Sequence, residues 1–295
     1  MNYRHAYHAG NFADVVKHVT VLSVLEYLSR KPRPWSYIET HAGRGLYPLD
    51  GPEAMRGGEW RDGIGRVAQQ QDLPPAIEAY ARLAGASAGR NIRRYPGSPL
   101  LVRRVMREED RAILAELQPQ EARQLKSLFR GDHQVAVHQT DGYQALKAFL
   151  PPNPARGLVL IDPPYESPDE LGRLPDVLAA AAQRWETGIF AIWYPIKDRV
   201  ELRPLMRRFA EVDAGPMLIA ELSVTPQDNP SRLNGTGMAI LRPPWRLEEM
   251  LKMRYAALAG LLGRRGPATV SVGMLETDEQ RECDDQLPGR MSARF

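Results

Sequence analysis

Gly157-Leu158-Val159-Leu160-Ile161-Asp162-Pro163-Pro164-Tyr165 is the stretch that decides the fold. Five apolar or small residues stopped by two prolines read as a buried strand with an abrupt end, because proline fixes φ and brings no N–H to a sheet ladder. A carboxylate, Asp162, is left at the carboxyl end of that strand, with a carbonyl-rich turn beside it and an aromatic ring, Tyr165, just beyond. Acceptors around a flat clamp suit an exocyclic amino group on a planar ring. Such a nitrogen is a poor nucleophile, since its lone pair is delocalised into the ring. Acceptors placed out of the ring plane favour the pyramidal nitrogen of the transition state, and a carboxylate can take the proton late. The aromatic ring can hold a base that has left its stack. A plain strand-ending turn with a tyrosine packed on it is the competing reading of these four residues.

Working outward, residues 35–39, 112–116, 134–138 and 188–193 read as further short buried strands, and residues 15–28, 120–129, 142–149 and 169–183 as helices. This alternation predicts a parallel, doubly wound sheet. Residues 217–224 and 236–242 are two more strands, joined by a loop rich in Pro, Asn and Gly that suits a hairpin. The expected fold is α/β and Rossmann-like, a mostly parallel seven-stranded sheet with a terminal hairpin. Residues 49–94 open with Pro and Gly and continue as a polar helical stretch, too long for a strand-to-strand crossover. They are expected to form a small inserted helical subdomain, with 1–48 and 95–275 as the main domain, 1–14 as an amino-terminal cover and 276–295 as a disordered polar tail.

The 295-residue chain is 43% hydrophobic and 25% charged, ordinary values for a globular protein. No run approaches the ~18 apolar residues of a membrane span, and the polar opening does not read as a signal peptide. The single cysteine, Cys283, excludes an intrachain disulfide framework and suits a reducing cytoplasm. The net charge is only +3, but Arg90, Arg93, Arg94, Arg103, Arg104 and Arg107 occur with no acid among them. Such a cluster is either a phosphate-tracking surface or a solvated face.

After the first strand comes Glu39-Thr40-His41-Ala42-Gly43-Arg44-Gly45, whose glycines permit a tight turn against a ligand. Glu116 and Asp141-Gly142 follow the next two strands. With Glu39 and Asp162, four acids then stand at the strand ends where nucleosides bind in open α/β sheets. No phosphate-binding Gly-x-x-x-x-Gly-Lys loop is present, and the dinucleotide Gly-x-Gly-x-x-Gly spacing is incomplete. An adenosyl ligand without pyrophosphate, S-adenosylmethionine, fits best. His5, His8 and His18 with His41 are an alternative metal set, but no cysteine or clustered acid completes it, and no metal is expected. Asp14 is expected to cap the helix that aims Lys17 and His18 at a ligand.

The opening Tyr3-Arg4-His5-Ala6-Tyr7-His8-Ala9-Gly10-Asn11-Phe12-Ala13-Asp14-Val15-Val16-Lys17-His18, together with Thr40-His41-Ala42-Gly43, Tyr95-Pro96-Gly97-Ser98-Pro99 and Trp193-Tyr194-Pro195, resembles one family. It is the bacterial 23S ribosomal RNA adenine-N6 methyltransferase J family, and the resemblance runs from Tyr3 to about Met274. The resemblance implies a class I S-adenosylmethionine-dependent methyltransferase in the cytoplasm, expected to be a monomer, acting on one adenine of free or partly assembled 23S RNA. It also implies that His18, His41, Ser98, Glu116, Asp141, Gly142 and Asp162 hold the cofactor, that Asp162 accepts the proton and that Tyr3 meets the RNA. The same fold could serve a guanine N2 amine or a DNA adenine, since Asp-Pro-Pro-Tyr suits any exocyclic amine. A non-catalytic RNA-binding assembly factor is the reading from another class.

Overall fold

Gly157–Ile161 is a strand buried at every position, and its place at the middle of a sheet explains its composition. In the computed structural model, which describes residues 4–86, 92–167, 169–225, 229, 231–264 and 268–275, the elements run as follows. The first half comprises α1 (Phe12–Ser29), β1 (Ser36–Glu39), β2 (Leu46–Pro48), α2 (Pro52–Gly57), α3 (Ile64–Gln69), α4 (Pro75–Ala84), β3 (Arg94–Pro96), α5 (Ser98–Val105), β4 (Arg111–Ala115) and α6 (Pro119–Leu128). The second comprises β5 (Val135–His138), α7 (Gly142–Phe149), β6 (Gly157–Ile161), α8 (Glu170–Arg184), β7 (Ile189–Ile196), α9 (Arg199–Ala210), β8 (Met217–Ser223), β9 (Gly235–Leu241), α10 (Leu247–Leu262) and β10 (Thr269–Met274).

The main sheet has the order β10-β8-β9-β7-β6-β1-β4-β5. The five strands β7, β6, β1, β4 and β5 are parallel. The hairpin of β8 and β9 adds antiparallel to β7. Along β6, Leu158 and Leu160 join the core under α1 and α10, whereas Val159 and Ile161 join the core under α7, α8 and α9. A strand covered on both faces reads as an unbroken apolar run. Gly157 is required by close approach, because a Cβ there would meet the Ser36 carbonyl oxygen at 1.8 Å.

The sheet has eight strands where seven were expected. The eighth, β10, pairs antiparallel with β8 at the sheet edge. Most of its residues are exposed, so the backbone ladder holds it and it carries no apolar run to announce itself. The cap of α1 also differs from expectation. Asn11, in extended conformation, accepts from the Asp14 N–H at 2.9 Å, and the helix begins at Phe12. Asp14 therefore sits inside the first turn, buried, with its carboxylate free for other work.

β2 and β3 pair antiparallel, so the chain leaves and re-enters at adjacent points with α2, α3 and α4 between them. The amino-terminal 3-10 turn His5–Tyr7 lies against this helical excursion. The Gly10 carbonyl accepts from Ile64 N–H at 2.8 Å, and a Cβ on Gly57 would meet the Tyr7 carbonyl oxygen at 2.1 Å. Tyr3, Arg90 and the tail 276–295 lie outside the described residues.

Candidate active site

The first turns of α1 and the carboxyl ends of β1, β6 and β7 enclose a cavity of about 420 Å³. Because Pro163 ends β6, the Asp162 side chain stands at the cavity wall. Lys17, one turn into α1, places Nζ 2.6 Å from Asp162 Oδ2 and 2.9 Å from Asp14 Oδ1. Asp14 Oδ2 accepts from Gly10 N–H at 2.9 Å and lies 3.0 Å from His5 Nε2. The result is a chain from His5 through Asp14 and Lys17 to Asp162. Burial alone would lower the Lys17 pKa, but the attraction of Asp14 and Asp162 outweighs it and holds the ammonium well above its usual range. Burial likewise works against Asp14, and the charges of His5 and Lys17 overcome it to hold the carboxyl well below its usual range.

His18 faces the same cavity, with Nδ1 2.8 Å from the Tyr95 hydroxyl, which lies 2.9 Å from the Tyr80 hydroxyl on α4. The His18 and Tyr95 rings stack at 5.6 Å. Burial pushes the His18 pKa down to about 3, so the imidazole is neutral. Glu39, the last residue of β1, accepts from Ser98 Oγ at 2.5 Å and from the Tyr37 hydroxyl at 2.9 Å. Burial lifts this carboxyl to about 8 in spite of both hydrogen bonds. His41 Nδ1 meets Thr40 Oγ1 at 2.7 Å, and its ring sets an edge on Tyr143.

The glycine turn after β1 is closed by the acid after β4. Glu116 accepts from Gly43 N–H at 2.8 Å and from Gln118 N–H at 2.7 Å. Gly43 has φ +61°, a conformation that favours glycine. Asp141 caps α7, accepting from Tyr143 N–H at 3.0 Å and Gln144 N–H at 2.9 Å. A Cβ on Gly142 would meet the Thr40 carbonyl oxygen at 2.2 Å, so glycine lets α7 start against the end of β1. Of the residues singled out from sequence, His18, His41, Ser98, Asp162 and Tyr165 line the cavity. Glu116 adjoins it through Gly43, while Asp141 and Gly142 stand behind Thr40 and His41 and do not line it.

Tyr165 has φ +52°, and its hydroxyl donates to the Trp193 carbonyl. Its ring lies tilted against the Trp193 ring at 5.4 Å. Trp193 also lines the cavity, with Lys17 Nζ 5.8 Å from its ring centroid. Sequence reasoning passed over Trp193 as a site residue. The available signal was the end of β7, where Trp193 and Pro195 are half-buried between buried neighbours.

The histidines serve separate partners, His5 with Asp14, His8 with Glu59 and His18 with Tyr95. Among the described residues no group of three or more His, Cys, Asp or Glu could hold a metal ion. The arginine cluster divides. Arg103 pairs with Asp132 at 2.5 Å, Arg104 donates to the Leu83 carbonyl, and Arg107 bonds Asp110 and the carbonyls of Lys31 and Arg33. These three hold elements together; Arg93 and Arg94 remain exposed.

Five parallel strands with an antiparallel hairpin at one side, and an acceptor-lined cavity at the strand ends, define a Rossmann-like class I methyltransferase. The family described as ribosomal RNA large subunit methyltransferase D, RlmJ, matches residues 32–272, and the chain belongs to it. The ribosomal RNA large subunit methyltransferase J of Escherichia coli K12 is 40% identical over 252 residues, covering 85% of this chain and 90% of that one. The protein of the same name from Haemophilus influenzae is 38% identical over 254 residues, with the same coverage. Among solved structures, the crystal structure of protein LPL1258 from Legionella pneumophila is 32% identical with a TM-score of 0.82, covering 90% of this chain and 98% of that one.

Proposed function

We propose that this enzyme transfers the methyl group of S-adenosylmethionine to the N6 amino nitrogen of one adenine in 23S ribosomal RNA, free or partly assembled. The observation that carries the reading is Asp162, set at the end of β6 with one oxygen held by Lys17 and two aromatic rings, Tyr165 and Trp193, on the same cavity. Relatives of matching length bear the name of a ribosomal RNA methyltransferase, which supports RNA as substrate.

The residues fit the cofactor. Each Glu116 oxygen accepts one backbone N–H, which leaves a lone pair on each for a ribose hydroxyl. Ser98, which opens α5, would with His18 and His41 offer neutral polar groups to the amino acid end, and Asp141-Gly142, at the start of α7, would hold the base end. When bound, the cofactor supplies an electrophilic methyl carbon on a sulfonium.

The chain's own groups do the rest. Lys17 engages Asp162 Oδ2 and fixes the carboxylate, which leaves Oδ1 for the adenine amino group. That acceptor, with the Pro163 carbonyl, favours the pyramidal nitrogen and takes its proton once the new bond has made it acidic. The rings of Tyr165 and Trp193 exclude water and hold the base flat. In this reading the enzyme works as a monomer in the cytoplasm, residues 49–94 form an accessory subdomain, residues 1–14 cover the site and Tyr3 reaches the RNA. No described helix is long and apolar enough to cross a membrane.

The test is mass spectrometry of nucleosides from 23S RNA of a strain lacking the protein, complemented with the native chain or with Asp162→Asn. One N6-methyladenine should disappear and return only with the native chain. In vitro, Asp162→Asn should lose about 10²–10³ in turnover, the usual cost of removing one preorganised group at the reacting centre. A missing N2-methylguanine, or methylation of DNA in its place, would replace this reading with one of its neighbours on the same fold.

A further inference from the structure

A second cavity, of about 440 Å³, opens between the starts of α8 and α9. It is separated from the active-site cavity by a thin wall, since Tyr165, Pro195 and Lys197 line both. The Tyr165 ring is held in this partition by two constraints already described, a backbone φ of +52° and a hydroxyl tied to the Trp193 carbonyl. Beyond the ring, Leu171, Leu202 and Leu205 supply apolar surface. Ser167, Asp198 and Glu201 add polar side chains to the lining. Arg208 also lines the cavity and reaches from α9 to the Gly172 carbonyl and to Asp176 Oδ1 on α8.

Apolar faces with polar edges are the surface of a nucleobase, and sites for single-stranded nucleic acid combine such platforms with cations along the backbone. The cation is Lys197, exposed and positioned at the junction of the two cavities. Its backbone is anchored where its carbonyl accepts from the buried Asn234 side chain at 2.8 Å. An anion at that junction would lie between whatever fills the two cavities.

We propose that the cavity between α8 and α9 receives the base adjoining the target adenine, so that Tyr165 stands between two nucleobases and Lys197 meets the phosphate joining them. This rests on the reading of the chain as an RNA adenine methyltransferase. It makes the site a reader of two consecutive nucleotides, with part of the sequence preference set outside the catalytic cavity.

The test compares RNA hairpins that carry the unmodified target adenine, one intact and two with the neighbouring base removed on the 5′ or the 3′ side. For the native enzyme, one of the two abasic RNAs should lose roughly 5- to 150-fold in kcat/KM, the range spanned by stacking one base on an aromatic ring. Ser167→Trp, which fills the second cavity, should methylate intact RNA no faster than the native enzyme methylates that abasic RNA, and should add no further loss on the abasic RNA itself. Cofactor binding measured by calorimetry should stay at the native value and so report an intact fold. Lys197→Ala is a second, independent variant: it should flatten the log-rate versus log-salt slope by about 0.7, as for one lost phosphate contact. Native rates that are equal on all three RNAs would overturn the second base site while leaving the proposed function standing, and so would a Ser167→Trp loss of equal factor on intact and abasic RNA. A native enzyme that methylates no adenine in any of them would overturn the proposed function, and this inference with it.

Discussion

Lys17 Nζ lies 2.6 Å from Asp162 Oδ2 and 2.9 Å from Asp14 Oδ1, so one buried ammonium is shared between the first turn of α1 and the end of β6. The Asp162 carboxylate is thereby fixed by the segment whose residues also line the cavity. Removing the ammonium leaves two carboxylates facing each other with no cation between them. Lys17→Met should therefore destabilise the protein by about 3–5 kcal/mol, the usual cost of stranding one side of a buried pair. Lys17→Met combined with Asp14→Asn should recover part of that loss. Urea denaturation of the native chain and these two variants checks this, and a single variant as stable as the native chain would refute the shared-ammonium account.

Two buried groups set opposite slopes on the dependence of stability on pH. The folded pKa of His18 is depressed from 6.5 to about 3. As pH falls below 6.5 the unfolded chain takes up a proton that the folded chain refuses, and stability declines until the pH reaches that folded value. The folded pKa of Glu39 is raised from 4.5 to about 8. Its contribution is full below 4.5 and is lost as pH rises through 8, because the unfolded chain releases its proton first. The two slopes oppose each other between 4.5 and 6.5. Urea midpoints across a pH series should show the native chain losing stability relative to Glu39→Gln as pH rises from 4.5 to 8, and a difference that does not change with pH would refute the buried neutral carboxyl.

The parts of the site legible in sequence are those where local chemistry and position coincide. The run Gly157–Ile161 is apolar because both faces of β6 are covered, and Pro163 and Pro164 mark its end. Glu39, Glu116 and Asp162 are recognisable because acids seldom end buried strands without a task. The link between Lys17 and Asp162 is invisible to periodicity, since it depends on how α1 packs on β6. Ser98 is hidden for another reason. It opens the eight-residue helix α5, whose proline and arginines read as a basic loop. The arginine cluster misleads because, apart from Asp110 three residues beyond Arg107, the partners of Arg103, Arg104 and Arg107 lie far along the chain, and two of the three arginines bond carbonyl oxygens that no sequence pattern marks.

In the proposed reading Tyr165 acts through its ring more than through its hydroxyl, whose partner is the Trp193 carbonyl. Tyr165→Phe should keep kcat/KM within about tenfold, as expected for one lost neutral hydrogen bond. Tyr165→Ala should lose roughly 5- to 150-fold, the stacking contribution of one base. Equal losses in steady-state assays on one RNA hairpin would assign the effect to the hydroxyl.

Arg93 and Arg94 are the two described members of the arginine cluster that stay exposed beside the helical excursion. As phosphate contacts they would each release counterions. The Arg93→Ala/Arg94→Ala variant should flatten the log-affinity versus log-salt slope by about 1.4–1.8 in total. Arg103→Ala, whose side chain pairs with Asp132, should leave the slope unchanged and cost stability instead. An unaltered slope in the double variant would make both arginines a solvated face.

Glu59 is the clamp that fixes the amino-terminal segment, with Oε1 2.9 Å from His8 Nδ1 and Oε2 accepting from Asn11 Nδ2 at 3.0 Å. The hydrogen bond to Glu59 raises the His8 pKa, so the clamp is strongest when the imidazole carries its proton. Gly10 and Ile64 add a backbone bond at 2.8 Å, and Ala6 and Ala9 are buried. If residues 1–14 act as the proposed cover, their opening breaks the bonds to Glu59, and Glu59→Ala should ease it. Amide exchange at residues 7–11 should accelerate in the variant. RNA methylation should fall more than cofactor binding, because His18, Ser98 and Glu116 do not bond Glu59. Raising the pH through the His8 titration should reproduce part of the effect in the native chain and less of it in the variant. Exchange at residues 7–11 that is equally slow in both proteins would show that the segment is held by its buried alanines and backbone bonds, and the clamp assigned to Glu59 would fall.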